Sequence, residues 1–153
     1  MSNRVYYFAY GSNMNPERMR EERSINYSQR KHAILKGFRL AFNKVSTKNA
    51  KEGFANIVAN KRETVEGVLY AITASDLLEL DKIEGYPIHY DRIRLNIETD
   101  DGEHIEAEVY VAQPDYIRKG LKPSRDYMKH LLAAKDIISN KYYESLKTIE
   151  TLD

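Results

Sequence analysis

Strand-like segments fill most of the chain before residue 112, and only one long helical pattern interrupts them. The order of these elements restricts the fold more than any other feature. Parallel sheets need a helix between consecutive strands, and that alternation is almost absent here. The pattern therefore predicts an α+β fold, in which helices flank a small mixed β-barrel or sheet. The predicted strands are Arg4–Tyr10, Lys31–Lys36, Gly37–Lys44, Phe54–Ala59, Thr64–Ile72, His89–Thr99 and Ile105–Val111.

Turn and capping residues set the other boundaries. Ser, Asn and Asp cap helix N-termini, and Gly commonly ends a helix. Asp101-Gly102 is a strong hairpin signal, and a polar loop is expected at Ser46–Gly53. The predicted helices run from Asn15 towards Glu22, from Ser75 to Gly85, from Ser124 to about Ser139 and over Lys141–Ile149.

Composition predicts one globular domain over residues 1–153, because 42% of the residues are hydrophobic. The chain has no Cys, which excludes thiol catalysis, Cys-ligated metals and disulfides, and the cytoplasm is the expected compartment. The longest apolar run, about Val5–Tyr10, is far shorter than the ~20 residues of a membrane span. We therefore expect no membrane association.

Charge is distributed unevenly along the chain. Residues 1–62 hold 13 Lys and Arg against 4 Asp and Glu, whereas residues 63–153 hold 11 against 19. A basic half is one sign of nucleic-acid binding, but no zinc-finger, RRM or basic-helix signature accompanies it. We expect the two halves to neutralise each other within one domain, with no nucleic-acid partner.

The first candidate site is the turn Tyr10-Gly11-Ser12-Asn13, directly after the first predicted strand. A glycine lets backbone N–H groups converge on an anion or an oxyanion. The pattern alone is ordinary turn sequence and does not separate a binding site from a simple turn. Ser12 is a poor candidate nucleophile, because the Gly-x-Ser-x-Gly arrangement is missing and no neighbouring residue supplies a base.

The second candidate is Glu84, at the end of the helix that begins near Ser75. The helix dipole disfavours a carboxylate there, and Ile83 and Tyr86 predict apolar surroundings, so its pKa is expected to rise towards that of a general base. A solvated glutamate is the alternative, and Asp81 is a competing carboxylate. The histidines, His32, His89, His104 and His130, lack metal-site spacing, and no phosphate-binding glycine motif is present.

Several stretches, in order, resemble the gamma-glutamylcyclotransferase family. Tyr7–Met14 is similar to the family's Tyr-Phe-Ala-Tyr-Gly-Ser-Asn-Leu start, and Leu80–Gly85 is similar to its Leu-Asp-x-x-Glu-Gly motif. The two motifs together are specific for this family, whereas neither motif alone would identify it. Further matches extend the resemblance over nearly the whole chain, at Gly53–Ile57, Val65–Tyr70, Pro123–Tyr127 and Tyr142–Glu150.

The resemblance implies a small mixed barrel with both motifs facing one cavity. It implies cleavage of a gamma-glutamyl amide by the substrate's own α-amine, which gives 5-oxoproline and a free amino acid or amine. Glu84 is the implied general acid and base. The implied substrate-binding residues are Tyr7, Phe8, Ala9, Tyr10, Gly11, Ser12, Asn13, Tyr90, Tyr127 and Tyr142. The substrate supplies the nucleophile, so no cofactor or metal is expected; a homodimer is left open.

Substrate identity stays open in the sequence. Tyr-Gly-Ser-Asn differs from the motifs of the glutathione-specific and gamma-glutamylamine branches, which favours gamma-glutamyl amino acids. Departures from the family occur at Ala133-Ala134-Lys135, at Ser46–Gly53 and at Pro87-Ile88-His89. The alternatives are a specialised cyclotransferase that removes a gamma-glutamyl protecting group in a biosynthetic pathway, and a non-catalytic small-molecule-binding protein of the same fold.

Overall fold

The computed structural model describes residues 4–153, as five strands and three α-helices joined by short helical turns. The strands are β1 (Arg4–Ala9), β2 (Gln29–Val45), β3 (Gly53–Thr73), β4 (Tyr90–Thr99) and β5 (His104–Ala112). The helices are α1 (Ala74–Glu84), α2 (Arg125–Leu132) and α3 (Asn140–Lys147). The predicted α+β class is confirmed. Shorter turns of 3-10 or π-helix lie at Ser12–Met14, Arg18–Glu22 and Pro114–Tyr116.

The five strands form a closed barrel in the order β1-β3-β2-β4-β5. All neighbours are antiparallel except β1 and β5, which close the barrel in parallel with Tyr7 opposite Glu108. The predicted mixed barrel is therefore confirmed. The pairings that complete the closure are short, with one residue pair between β1 and β5 and two between β2 and β4.

Two pairs of predicted strands are single long strands. Lys36 pairs with Thr64 and Phe38 with Ala59, so residues 60–63 bulge from β3 opposite Gly37. Gly37 has φ 86°, a left-handed conformation that glycine adopts without strain. The polar residues 60–63 resemble a loop in the sequence, yet the antiparallel pairing continues on both sides of them. The separation of these strands was thus a wrong prediction.

The first helix begins earlier than predicted. Its N-cap is Thr73 rather than Ser75, because the Thr73 hydroxyl accepts the Asp76 N–H at 3.1 Å and the Asp76 carboxylate accepts the Thr73 N–H at 3.0 Å. This reciprocal pair is a capping box. The helix ends as predicted at Gly85, which has φ 70°.

The helix capped by Ser124 ends at Leu132 and not near Ser139. Ser139 donates from its backbone N–H and its hydroxyl to the Glu66 carboxylate of β3, at 2.8 and 2.6 Å. Its hydroxyl also accepts the Tyr142 N–H at 3.1 Å and so caps α3. Ser139 is thus bound to the barrel and begins a separate helix, α3.

The core has two parts, one on each face of β1. Phe8 and Tyr10 pack with one cluster that includes Leu35, Leu69 and Ile97, and Tyr7 and Ala9 pack with a second that includes residues of α1, α2 and α3. Alternating residues of a strand point to opposite faces. β1 is therefore buried on both sides, and the turn that follows it is fixed in position.

Ion pairs join the basic and acidic halves of the chain. Arg30 binds Asp136 at 2.8 Å, and Lys36 lies 3.2 Å from Glu98. The excess charges of the two halves thus meet within one fold. Within residues 4–153, no helix combines the length and the apolar character that crossing a bilayer requires.

Candidate functional site

A cavity of about 230 Å³ lies beside the C-terminal end of β1 and the last residues of α1. Both sequence motifs contribute to it, as the resemblance implies. Seven of its fifteen lining residues are aromatic, namely Tyr7, Phe8, Tyr10, Phe54, Tyr90, Tyr110 and Tyr127. The rest of the lining is the turn Gly11–Asn13, with Ala55, Ile83, Glu84 and two arginines, Arg18 and Arg23.

Hydrogen bonds from the barrel and from Arg23 hold the turn after β1. The Tyr70 hydroxyl donates to the Asn13 carbonyl at 2.7 Å, and the Asn13 amide donates to the Tyr7 hydroxyl at 3.0 Å. Arg23 Nε donates to Asn13 Oδ1 at 3.2 Å. A Cβ at Gly11 would lie 3.0 Å from both the Ala55 Cβ and the Tyr127 hydroxyl oxygen. The turn is therefore rigid, and a glycine keeps its backbone close to the cavity wall.

Backbone groups fix the tyrosine hydroxyls. Tyr90 donates to the Ala55 carbonyl at 3.0 Å, and Tyr10 donates to the Tyr110 carbonyl at 2.5 Å. Tyr127 instead accepts the Ala55 N–H at 3.1 Å, which leaves its own hydroxyl proton available to a ligand. Burial, reinforced by the charge of Glu84, raises the pKa of Tyr127 to about 12. Tyr127 is thus a neutral donor that reaches the cavity.

Glu84 is the last residue of α1, and its side chain is partly buried at the cavity. Among residues 4–153 its carboxylate has no hydrogen-bond or ion-pair partner. Burial raises its pKa, and the nearby charges of Arg23, Arg18 and Lys44 oppose this increase only in part. A carboxylate at a helix C-terminus is disfavoured further by the helix dipole. Glu84 is therefore available for proton transfer.

Asp81, the competing carboxylate, has a structural role. It accepts two hydrogen bonds from the Arg92 guanidinium at 2.8 and 3.2 Å, and one from the Tyr110 hydroxyl at 2.7 Å. Arg92 also binds Glu108 at 2.6 Å. Because these partners occupy Asp81, it is not free to act on a ligand.

Arg18 and Arg23 are cavity residues that sequence reasoning missed. They follow Asn13 by five and ten residues, within and just after the π-helical turn Arg18–Glu22. Two basic residues close behind a candidate turn are a weak signal. Their approach to Glu84 depends on how the chain folds back after the turn, which no local pattern reveals.

Eight of the ten predicted substrate-binding residues line the cavity together with Glu84. Ala9 does not line it; its side chain packs in the core cluster that also contains Tyr7. Tyr142 is in α3 and packs at the same cluster, and its buried hydroxyl has no hydrogen-bond partner among the described residues. Its contact with a substrate stays a prediction. Residues 4–153 contain no group of three or more His, Asp or Glu placed to hold a metal ion.

Curated proteins similar to this chain share one name. The bovine gamma-glutamylcyclotransferase is 31% identical over 155 residues, with 96% of this chain and 79% of the bovine protein covered. The human gamma-glutamylcyclotransferase is 31% identical over 153 residues, with the same coverage.

Solved structures agree with the barrel and its helices. An uncharacterised human protein superposes with a TM-score of 0.86 and 29% identity, over 99% of this chain and 91% of that one. A gamma-glutamyl cyclotransferase superposes with a TM-score of 0.85 and 29% identity, over 98% and 90%. The family model described as gamma-glutamyl cyclotransferase, AIG2-like matches residues 7–129, which include both motifs. The chain therefore belongs to the gamma-glutamyl cyclotransferase, AIG2-like family of enzymes.

Proposed function

We propose that this protein cleaves a gamma-glutamyl amide by intramolecular cyclisation, releasing 5-oxoproline and a free amino acid or amine. One observation carries the proposal: the unpartnered Glu84 carboxylate, with its raised pKa, shares a small cavity with the rigid turn Gly11–Asn13. The names of the curated relatives support the reaction class.

Glu84 acts first as a base in this scheme. The substrate α-amine is protonated at neutral pH, and Glu84 removes one proton from it. The amine then attacks the γ-carbonyl carbon and forms a five-membered ring. Because both reacting groups belong to one molecule that the cavity holds folded, their proximity lowers the barrier by several kcal/mol.

Charge develops on the carbonyl oxygen as the C–N bond forms. Backbone N–H groups of Gly11–Asn13 and the Tyr127 hydroxyl are the candidate donors to this oxyanion. Glu84 passes its proton to the leaving nitrogen and then takes the remaining surplus proton from the ring nitrogen. The oxygen reforms the carbonyl as the amide C–N bond breaks, and Glu84 gives this second proton to the released amine, which leaves as an ammonium ion while Glu84 is ionised again. One carboxylate thus acts alternately as base and as acid, and its raised pKa suits both roles.

The proposed substrates are gamma-glutamyl amino acids, and the proposed compartment is the cytoplasm. No cofactor enters the scheme, because the substrate supplies its own nucleophile. The turn motif that favours gamma-glutamyl amino acids contributes directly to the cavity lining.

The test is to incubate the protein with gamma-glutamyl dipeptides and with glutathione and to measure 5-oxoproline. We expect product from the dipeptides and a loss of nearly all turnover in Glu84→Gln. Glu79→Gln, on the exposed side of the same helix, is the matched control and keeps activity. Binding of the dipeptides without 5-oxoproline would instead identify a binding protein, and turnover by Glu84→Gln would contradict the role of Glu84.

A further inference from the structure

Arg18 and Arg23 bring more positive charge to the cavity than the protein neutralises there. Arg18 Nε lies 3.5 Å from an oxygen of Glu22, whose side chain is 54% exposed, and that buried Nε makes no hydrogen bond among the described residues. Among the described residues, Arg23 makes one side-chain hydrogen bond, to the amide oxygen of Asn13. A guanidinium has five N–H donors, so most of these donors remain for a ligand.

The two arginines lie at the rim of the cavity. Both are partly exposed, whereas Tyr7, Tyr10 and Tyr90, which line the same cavity, are buried. The glutamyl head must lie next to Glu84, which removes a proton from its amine, and beside the turn Gly11–Asn13. The leaving group is then directed towards the rim, through which it must also depart.

The formal charge of the cavity lining is a second observation that bears on the leaving group. With Glu84 ionised, Arg18, Arg23 and Glu84 give the cavity lining a formal charge of +1. A gamma-glutamyl derivative of a neutral amino acid has one ammonium and two carboxylates, and so a net charge of −1. The corresponding derivative of a simple alkylamine lacks the second carboxylate and is neutral. The cavity charge thus complements the first of these substrates.

On the basis of the proposed function, we infer that Arg18 and Arg23 bind the carboxylate of the leaving group, so that amino acids leave in preference to amines. The planar guanidinium can bind a carboxylate through two parallel hydrogen bonds. Two of them at one rim form a site that a neutral leaving group cannot satisfy. They are specificity-determining residues and take no part in the proton transfers.

The test compares gamma-glutamylalanine with gamma-glutamylethylamide, which differ only by the leaving-group carboxylate. We expect wild type to prefer the alanine derivative by about 10- to 100-fold in kcat/KM, the range of a hydrogen bond between charged groups. The double variant Arg18→Gln/Arg23→Gln loses this preference through a higher KM for gamma-glutamylalanine. Its kcat/KM for gamma-glutamylethylamide falls by a smaller factor, since Arg23 also holds the turn through Asn13, and far-UV circular dichroism shows that the variant folds.

Arg20→Gln is the matched control, because Arg20 belongs to the same helical turn but is exposed and does not line the cavity. It removes one positive charge from the chain, as each substitution of the double variant does, and keeps the preference. An equal loss for both substrates in the double variant, or an unchanged preference, would overturn the inference.

A binding measurement separates this inference from the proposed function. Titration calorimetry on Glu84→Gln compares gamma-glutamylalanine, gamma-glutamylethylamide and 4-aminobutyrylalanine, which lacks the glutamyl α-carboxylate. Weaker binding of gamma-glutamylalanine and 4-aminobutyrylalanine after the arginine substitutions supports the leaving-group site. Weaker binding of gamma-glutamylethylamide instead assigns the arginines to the α-carboxylate and overturns the inference. The inference is also overturned if none of the three compounds binds. Absence of 5-oxoproline from wild type, with arginine-dependent binding retained, contradicts only the proposed function.

Discussion

Glu84 lies at a cavity, at the end of a helix, without a hydrogen bond among the described residues. Burial raises its pKa because few nearby groups solvate the ionised form. Such a position lowers the stability of the fold at neutral pH. The same lack of partners leaves the carboxylate free to accept a proton from a bound ligand. The position of Glu84 thus lowers the stability of the fold but suits its proposed role in proton transfer.

We therefore predict that Glu84→Gln raises the thermal midpoint at neutral pH. The folded-state pKa is above the unfolded value, so the folded state loses stability as pH rises through the folded pKa and Glu84 ionises. Below the unfolded pKa both states hold the proton, and the stability difference between wild type and variant disappears. Thermal midpoints measured across this pH range test the prediction. A variant that is destabilised at neutral pH would show that Glu84 has a stabilising partner.

Gly11→Ala tests the close contact between the turn and the cavity wall. The added Cβ would lie 3.0 Å from the Tyr127 hydroxyl and from the Ala55 Cβ, so these neighbours must shift. We expect a loss of about 1–3 kcal/mol in unfolding free energy and a higher KM. In a double-mutant cycle, Tyr127→Phe reduces the cost of Gly11→Ala, because the clashing oxygen is gone. Strict additivity would contradict the contact.

Each end of α1 depends on a local hydrogen-bonding device. The capping box of Thr73 and Asp76 fixes its start, and Gly85 in a left-handed conformation ends it directly after Glu84. A helix with defined ends presents its last side chain in a constant direction. The element thus positions the Glu84 carboxylate at the cavity.

Thr73→Ala and Ser75→Ala separate the observed cap from the predicted one. Loss of the Thr73 hydroxyl leaves the Asp76 N–H without its partner and is expected to cost about 1 kcal/mol of unfolding free energy. Ser75→Ala is expected to change it by less than about 0.5 kcal/mol, since Ser75 is exposed. Urea unfolding of both variants provides the measurement. Equal effects would argue against Thr73 as the N-cap.

Local signals predict much of this fold and part of its site. Side-chain alternation predicts β4 and β5, and capping residues predict the start of α2 and the end of α1. The turn at Gly11 and the carboxylate Glu84 were found because a glycine and a helix end have local chemical meaning. These features depend on neighbours within a few residues.

Features that depend on distant partners were not predictable in this way. The bulge at residues 60–63 exists because β2 pairs on both sides of it, and Glu66 of β3 binds Ser139, where α3 begins in place of a continued α2. Arg18 and Arg23 reach Glu84 only after the chain turns back across the cavity. Local sequence patterns do not predict these features, because the residue that makes the contact is distant in the chain.

At the scale of the molecule, an ionic network attaches α1 to the barrel. Asp81 of α1 binds Arg92 of β4, and Arg92 and Arg94 both bind Glu108 of β5. Asp81 and Glu108 are buried, so their charges depend on these arginines. The network therefore determines where the helix that carries Glu84 lies on the barrel.

Asp81→Asn tests this attachment. The variant retains the shape of the side chain but removes the charge that pairs with Arg92. We expect a loss of about 2 kcal/mol in unfolding free energy, and partial solvation of Arg92 keeps the loss from being larger. Glu79→Gln, which alters only an exposed ion pair of the same helix, is the control and is expected to change the unfolding free energy little. Urea denaturation measures both. Equal stabilities of the two variants would show that the network does not hold α1 in place.

The tyrosine lining has a consequence for how the cavity responds to protons. Burial raises the pKa of Tyr7, Tyr10 and Tyr90, so these phenols stay neutral throughout the physiological range. Among the lining residues, all of which the structure describes, Glu84 is then the carboxyl group whose charge changes on acidification, because burial raises its pKa above the usual glutamate range. Its protonation increases the formal charge of the lining from +1 to +2. Acid should therefore tighten the binding of a carboxylate while it abolishes turnover, and by reciprocity a bound carboxylate should increase the proton affinity of Glu84.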